Sequence, residues 1–356
     1  MAMSERELQE NLLEYFRVQY PASKRIKVLD LVKITDGWET DVYSFSLEYE
    51  SNNELHSNDL ILRIYPGDNA KEKSAKEFKV MAKLHEVGFP VPEVYHLETD
   101  YSAFGKPFVI MERINGQSMG EIIEVSPEKT RKDMVSLFCK MFVDLHRLDI
   151  KPFVSDPSIA PDPTVYDTAN PYDYMTKMLQ NFRQKMAAFQ KEEFVFALFN
   201  QIMDWLEKRK QSVPSKRLSL IHFDYHFYNI LIRHDGIPFV IDWTGSAITD
   251  YRVDLAWTLL LVSTYGHPEM RDCILETYGK IAGSKVENIE YFEVIAATRR
   301  LGSIYLSLSE GAEKLGMRPE AAEIMKQQTG HIKAVTRVLR DRTGITIREF
   351  DELLGL

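Results

Sequence analysis

The hydrophobic pattern of this 356-residue chain changes character near residue 113. Before that point, short runs rich in β-branched and aromatic residues alternate with turn signals, which predicts an antiparallel meander over 27–65. A helical stretch follows at 69–88, and two further strands are expected at 92–100 and 106–114. The first third of the chain is therefore predicted to form a β-rich unit with one inserted helix.

Beyond residue 113 apolar residues recur mainly at helical spacing. Candidate helices lie at about 127–147, 172–190, 191–212, 251–264, 268–282, 288–308 and 319–341. A leading amphipathic helix is also expected within 1–20. We therefore expect an α+β protein with a small antiparallel β-rich N-terminal lobe, residues 1–112, and a larger, mainly helical C-terminal lobe, residues 113–356.

Composition narrows the functional classes. Lys+Arg 44 against Asp+Glu 53 gives a net charge of −9, which argues against a nucleic-acid-binding face. No apolar run approaches the length of a membrane span, and the N-terminus is charged where a signal peptide would be apolar. Cys139 and Cys273 lack the spacing of a metal site or a disulfide framework. We expect a cytoplasmic protein with neither a nucleic-acid nor a membrane partner.

One segment interrupts the helices and concentrates polar residues. After a strand-like run, His222, Asp224 and Asn229 have the H-x-D-x-x-x-x-N spacing of a kinase catalytic loop, and Asp242 follows eighteen positions after Asp224. Phosphoryl transfer needs a carboxylate to orient and deprotonate the attacking hydroxyl, and oxygen ligands that hold Mg²⁺ on the nucleotide. We expect Asp224 to be the base and Asn229 and Asp242 to be the metal ligands. His222 is expected to be a structural hydrogen-bonding residue.

The spacing between Asn229 and Asp242 fits a β-hairpin. Two strand-like runs flank the turn signal Asp235-Gly236. Because the second strand returns to the end where the first began, both ligands are expected to converge on the base. Mg²⁺ prefers such a sparse set of hard oxygen ligands.

These motifs resemble the aminoglycoside phosphotransferase and choline kinase superfamily, whose usual form is close to HGDxHxxNxL followed by a VIDW or IDF strand. His226 and Trp243 match that version better than they match protein kinases. The later Asp250-Tyr-Arg-Val-Asp254-Leu-Ala is similar to the family's D-x-x-x-D-L-A helix start, which implies that Asp254 caps the helix and braces the catalytic loop. The resemblance implies a protein-kinase-like, two-lobed fold. It also implies transfer of the γ-phosphoryl group of ATP or GTP to a hydroxyl of a small acceptor, such as an aminoglycoside or an amino-alcohol.

The N-terminal lobe should then bind the nucleotide. A kinase covers the phosphates with backbone N–H groups, which requires glycine where the chain approaches closely, and Gly37 is the candidate. Arg63 on the third strand would take the place of the phosphate-binding cation, with Glu77 on the following helix as its partner. Because a guanidinium is a planar fork, its phosphate geometry would differ from that of lysine. Backbone groups of Glu112 and Arg113 would meet the base, and they do not distinguish ATP from GTP.

Other interpretations were weighed against this one. Gly116-Gln-Ser118-Met-Gly120 matches the G-x-S-x-G elbow of serine hydrolases, but that elbow requires alternating β and α units. His222, Asp224 and His226 alternate as in a zinc site, yet a further ligand at supportive spacing is missing. The chain has no P-loop signature. A kinase-like fold that binds a nucleotide or a partner without transfer remains the main alternative.

The acceptor is expected to contact parts of 172–212 and 293–307. Acids and aromatic residues such as Glu293 and Trp205 would suit a cationic acceptor through ion pairing and cation–π contact. Arg299 and Arg300 favour an anionic or neutral acceptor. The sequence leaves both possibilities open.

Overall fold

The computed structural model describes residues 4–34, 40–67, 69–100, 103–160, 162–166, 171–187, 193–265, 268–312, 320–346 and 352. These residues form two compact units. The N-terminal unit holds the described residues up to Gln117 together with Leu231–Thr244. The C-terminal unit holds Ser118–Ile230 and the described residues from Gly245 onward.

The helices and strands are numbered in chain order. They are α1 (Glu5–Gln19), β1 (Lys24–Ile34), β2 (Asp41–Ser51), β3 (Glu54–Ile64), α2 (Ala70–Glu86), β4 (Val94–Glu98), β5 (Phe108–Glu112), β6 (Gly116–Ser118), α3 (Met119–Val125), α4 (Glu128–Arg147), α5 (Lys151–Val154), α6 (Pro171–Ala187), α7 (Glu193–Arg209), β7 (Leu218–Ile221), β8 (Ile230–Arg233), β9 (Pro238–Val240), β10 (Ala247–Asp250), α8 (Tyr251–Thr264), α9 (Pro268–Ala282), α10 (Ile289–Glu310), α11 (Glu320–Gln327) and α12 (Thr329–Thr343).

A five-stranded antiparallel sheet forms the framework of the N-terminal unit. Its strand order is β1-β2-β3-β5-β4, so β3 is central and pairs with both β2 and β5. Arg63 lies in β3 opposite Val42 on one side and Val109 on the other. The central strand therefore fixes the backbone position of Arg63.

Helix α1 supplies part of the core of this unit. It begins at a capping box, in which Ser4 and Glu7 satisfy each other's backbone N–H groups. Its apolar face buries Leu8, Leu12 and Phe16 in the same core as the sheet residues Phe45 and Leu62. Helix α2 buries Glu77 on the face that also carries Met81 and Leu84, because residues three and four apart share a helix face.

Helices and one small sheet build the C-terminal unit. Helix α8 packs against α9, α10 and α12, and all but two of its residues are buried. The two-stranded antiparallel sheet pairs β7 with β10, with Ile221 opposite Ala247. This pairing brings the end of β7, where the predicted catalytic loop begins, close to the start of α8.

The expected fold class is confirmed, since an antiparallel sheet comes first and a mostly helical remainder follows. The single helix expected at 319–341 is wrong. The chain forms α11 and α12 there, with a break at Gln328. The low helix propensity of Gly330 near the junction favours such a break. Among the described residues, no helix is both long and apolar enough to cross a bilayer.

Candidate active site

A buried carboxylate holds the start of the predicted catalytic loop. Asp254, in the first turn of α8, accepts hydrogen bonds from the backbone N–H groups of His222 at 2.7 Å and Phe223 at 2.8 Å. His146 Nε2 lies 3.3 Å from the same carboxylate, and His146 Nδ1 lies 2.9 Å from the Tyr278 hydroxyl. Asp254 is fully buried, so these partners replace its contact with water. The loop is thereby anchored to α8 and α4.

The helix-capping role expected for Asp254 is wrong. Asp250 is the N-cap of α8, and its side chain accepts the backbone N–H of Arg252. Asp250 has the extended backbone that a cap requires, whereas Asp254 already lies within the helix. Asp254 therefore does not cap the helix, and its carboxylate contacts the loop and His146 instead.

The side chain of Asp224 lies at the centre of a polar group of residues. Its Oδ1 accepts a hydrogen bond from the Trp257 indole N–H at 3.3 Å, and its Oδ2 lies 3.6 Å from His226 Nε2. Asn229 Nδ2 donates to the Asp224 backbone carbonyl at 2.9 Å and to Oδ2 at 3.4 Å. The Asp224 side chain keeps 45% of its surface exposed. The carboxylate is oriented by its neighbours and still accessible to a ligand.

This surrounding favours the ionised form of Asp224. Partial burial would raise the pKa of the carboxyl, but the hydrogen bond and charge of His226, the charge of His222 and the Trp257 N–H outweigh it. The pKa of Asp224 is consequently held well below its ordinary value. Asp224 is thus a carboxylate at neutral pH.

His222 and Asn229 act on the shape of the loop. His222 is fully buried, and its Nδ1 accepts the backbone N–H of Asp224 at 3.2 Å. Asn229 ends a short 3-10 turn, Phe227–Asn229. Because its Nδ2 donates to Asp224, its Oδ1 is the atom left to accept a hydrogen bond or bind a cation.

The N-terminal unit contains a second charged cluster, centred on Arg63. Arg63 Nη1 donates to Glu77 at 2.9 Å, and Nη2 donates to Asp242 at 3.0 Å and to Thr40 at 3.3 Å. Glu77 also accepts the Tyr65 hydroxyl and, at 3.0 Å, the backbone N–H of Trp243. Glu77 thus links the central strand to the chain around Asp242.

Burial and charge oppose each other in this cluster. Burial raises the pKa of Glu77, and Arg63 acts against that rise. Burial lowers the pKa of Arg63, but Glu77 and Asp242 together raise it well above its ordinary value. Arg63 therefore stays charged between two carboxylates.

Asp242 has an unusual backbone for its residue type. Its φ is 66°, in the left-handed region that non-glycine residues rarely adopt. Its Oδ1 accepts the Thr244 hydroxyl at 3.0 Å as well as Arg63. Side-chain contacts thus hold Asp242 in a strained conformation, which is a common feature of functional sites.

The remaining predicted nucleotide residues are only partly described. Glu112 ends β5, and its N–H donates to Glu93 O at 2.8 Å. The Arg113 N–H donates to Asp59 O at 3.1 Å. Both N–H groups are thus used within the N-terminal unit. Gly37 lies outside the described residues.

The G-x-S-x-G motif has a structural role. Ser118 is the N-cap of α3 and forms a capping box with Glu121, to which its hydroxyl donates at 2.8 Å. A Cβ on Gly116 would lie 2.1 Å from the Ile232 carbonyl oxygen, and one on Gly120 would lie 2.8 Å from the Tyr228 ring. The two glycines therefore permit close packing against β8 and the 3-10 turn, and Ser118 begins a helix.

Sequence reasoning missed several residues around these clusters, namely Thr40, Tyr65, His146 and Trp257. Of these residues, Trp257 could have been found from its position in the sequence. Trp257 is three residues after Asp254 in a helix, so both side chains share a face that meets the catalytic loop. The others make contacts between segments distant in sequence, which local spacing does not reveal.

Asn229 and Asp242 are the residues expected to hold Mg²⁺. In the described part of the chain, no group of three or more His, Cys, Asp and Glu side chains is placed to hold a metal ion. The alternating His222, Asp224 and His226 therefore do not form a zinc site. Asn229 Oδ1 and the Asp242 carboxylate are hard oxygen donors of the kind Mg²⁺ prefers. Mg²⁺ takes few protein ligands and completes its shell with water and phosphate, so the chemistry of each of these two side chains, taken by itself, suits the ion.

Comparison with known proteins assigns the family. Residues 30–287, more than half of the chain, match the family model described as the phosphotransferase enzyme family. The chain belongs to this family. The resemblance expected from the catalytic loop is therefore confirmed, and the chain is placed among phosphotransferases.

Curated relatives and solved structures are more distant. The chain is 22% identical over 276 residues to acyl-CoA dehydrogenase family member 10 of Mus musculus, a match that covers 72% of this chain and 24% of that protein. The chain thus spans about a quarter of the length of this relative.

An ethanolamine kinase of Plasmodium vivax has a TM-score of 0.62 at 12% identity, with 94% of this chain and 86% of that chain covered. Aminoglycoside phosphotransferase APH(4)-Ia, solved with AMP-PNP and hygromycin B, has a TM-score of 0.58 at 16% identity, with 92% and 98% covered. These likenesses confirm the kinase-like fold.

Proposed function

We propose that this chain transfers the γ-phosphoryl group of ATP or GTP to a hydroxyl group of a small-molecule acceptor, with Asp224 as the base. The N-terminal lobe, 1–112, would bind the nucleotide, and the lobe 113–356 would carry the base and bind the acceptor. The family of the chain supports the reaction class. The acceptor and the residue roles are part of the proposal.

The surroundings of Asp224 carry this proposal. The carboxylate is exposed to a ligand, ionised at neutral pH and oriented by Trp257 and Asn229. Such a group can accept a hydrogen bond from the attacking hydroxyl, fix its direction and take its proton. A carboxylate of low pKa is a weak base, but a loose phosphoryl-transfer transition state depends more on positioning than on early proton removal.

Arg63 is assigned to positioning. Its donors are directed to Glu77, Thr40 and Asp242, which favours a role in holding Asp242 over direct contact with phosphate. Gly37 and the backbone of Glu112 and Arg113 are retained as candidate nucleotide contacts from the family resemblance.

Asn229 and Asp242 would hold Mg²⁺. The ion, when bound, would neutralise charge on the phosphates of the nucleotide. Asn229 Oδ1 is oriented by the hydrogen bond of its amide to Asp224, and the Asp242 carboxylate is oriented by Arg63 and Thr244. Contacts within the chain thus orient both side chains without a bound ligand.

The test is consumption of ATP and GTP with Mg²⁺ across a panel of acceptors. The panel includes hygromycin B, ethanolamine, choline, homoserine and simple sugars, of which the first two follow the names of the solved neighbours. A hydroxylated acyl-CoA is added because the curated relative is named for acyl-CoA. Asp224→Asn keeps the size of the side chain and serves as the inactive reference, and Asp133→Asn, an exposed position on α4, is the matched control.

Transfer to one acceptor that is lost in Asp224→Asn and kept in Asp133→Asn would support the proposal. Transfer that persists in Asp224→Asn would refute the role of the base. Nucleotide binding without transfer to any acceptor would favour the alternative, a kinase-fold protein that binds without catalysis.

A further inference from the structure

Arg299 of α10 lies against the aromatic rings of Phe223 and Trp257. Its guanidinium carbon is 3.5 Å from the centroid of the Phe223 ring and 4.1 Å from that of Trp257. Phe223 precedes Asp224 in the chain, and the Trp257 indole N–H donates to the Asp224 carboxylate. A permanent positive charge is therefore held against the ring of the residue before the proposed base and against the indole that donates to that base.

The next residue, Arg300, adds a second charge. It is 7% exposed, and it donates through Nε to His331 Nε2 at 2.8 Å and through Nη2 to the Tyr265 hydroxyl at 2.7 Å. Burial and Arg300 lower the pKa of His331 to about 3, so both partners are neutral at physiological pH. Among the described residues, no carboxylate contacts Arg300. Its charge is thus compensated by dipoles rather than by an anion.

Two groups that would have suited a cationic acceptor, Glu293 and Trp205, already have partners. Glu293 lies 2.7 Å from Arg271 and 2.8 Å from Arg342, and its side chain is 3% exposed. Trp205 has Arg209 over its ring at 4.1 Å. The acid is neutralised and the aromatic face is covered, so neither can serve an incoming amine without losing a partner.

We propose that the acceptor carries an anionic group, a phosphate or a carboxylate, that binds Arg299 while its hydroxyl meets Asp224. This inference rests on the proposed function, whose acceptor it specifies. The contacts with the two rings are cation–π interactions, and a guanidinium has planar, forked donors that match a phosphate or a carboxylate. The rings also hold the side chain in one orientation, so little freedom is lost when an anion binds.

Binding can be measured without a known acceptor. The chain has four tryptophans, so the indole N–H signal of Trp257 can be followed by nuclear magnetic resonance and assigned with Trp257→Phe. Methyl phosphate and acetate are the probes, at constant ionic strength against chloride, and methylammonium is the cationic control. We expect a saturable shift of the Trp257 signal with at least one of the two anions and none with methylammonium.

Variants connect that shift to Arg299. Arg299→Gln should abolish it, and Arg299→Lys should retain a weaker one because the charge remains but the planar fork is lost. Arg209→Gln is the matched control, since Arg209 also lies over a tryptophan ring but belongs to α7. Absence of a saturable shift in the wild-type protein would overturn the proposal, as would an equal shift in Arg299→Gln. The stronger of the two probes distinguishes a phosphate from a carboxylate.

Paired acceptors separate this inference from the proposed function. Glycerate is compared with glycerol, and a hydroxyacyl-CoA with its N-acetylcysteamine thioester, which lacks the phosphates. Preference for the anionic member that is lost in Arg299→Gln supports the inference. Transfer to a cationic amine that Arg299→Gln leaves unchanged would refute the anionic acceptor and would still support the phosphotransferase activity. An Arg299-dependent anion shift without any nucleotide consumption would instead refute the proposed function and leave the anion site standing.

Discussion

Arg63 and Asp242 form an ion pair of 3.0 Å although 179 residues separate them in the chain. The same guanidinium pairs with Glu77 at 2.9 Å, and Glu77 in turn accepts the backbone N–H of Trp243. One buried arginine thus fixes both the side chain and the neighbouring backbone of the proposed metal ligand.

Replacement of Glu77 by glutamine should destabilise the protein by on the order of 3 kcal/mol, because Arg63 would lose a buried anionic partner. Urea unfolding at neutral pH measures the change. Glu72→Gln is the control, since Glu72 lies on the same helix but is exposed. Equal stability of the two variants would show that the buried pair adds nothing.

Replacement of Asp254 by asparagine should loosen the catalytic loop. One oxygen becomes an NH₂ group, so either the His222 or the Phe223 N–H would face a donor, at a cost of about 2 kcal/mol. Hydrogen exchange of the peptide containing these amides should become faster. Asp133→Asn, the exposed control on α4, should leave that exchange unchanged. Unchanged exchange in Asp254→Asn would contradict the bracing role.

The stability of the protein should depend on pH through His331. Its pKa is lowered from 6.5 to about 3 in the folded chain, so the unfolded chain binds more protons between these values. The contribution of His331 is fully present above pH 6.5 and is lost as pH falls towards 3. His331→Gln should flatten the unfolding free energy over this interval, and an unchanged slope would argue against a buried neutral histidine.

Substitution of Ser118 distinguishes between two roles for this residue, a helix cap and a catalytic nucleophile. Ser118→Ala should cost about 1 kcal/mol in stability while nucleotide consumption persists, and Ser118→Asp should restore the cap. Thermal unfolding and the phosphotransfer assay are the two measurements. Loss of phosphotransfer at unchanged stability would contradict a purely structural role for Ser118.

The sequence predicted those features that depend on local order. The strand before His222, the hairpin after Asn229 and the helix after Asp250 follow from patterning and turn residues. The pairing of β7 with β10 and the contact of Arg63 with Asp242 depend on segments far apart in the chain, and no local rule specifies them. For the same reason the sequence suggested Glu293 as a group for a cationic acceptor, whereas tertiary packing gives it two arginine partners.

Phe223 has a φ of 69°, a left-handed backbone that is unfavourable for an aromatic residue by about 1–3 kcal/mol. Glycine would relieve that strain, but it would also remove the ring that lies against Arg299. Stability and ligand positioning therefore make opposite demands on one residue. Selection of variants for heat resistance alone should favour Phe223→Gly. The selected proteins should then bind the proposed anionic acceptor more weakly.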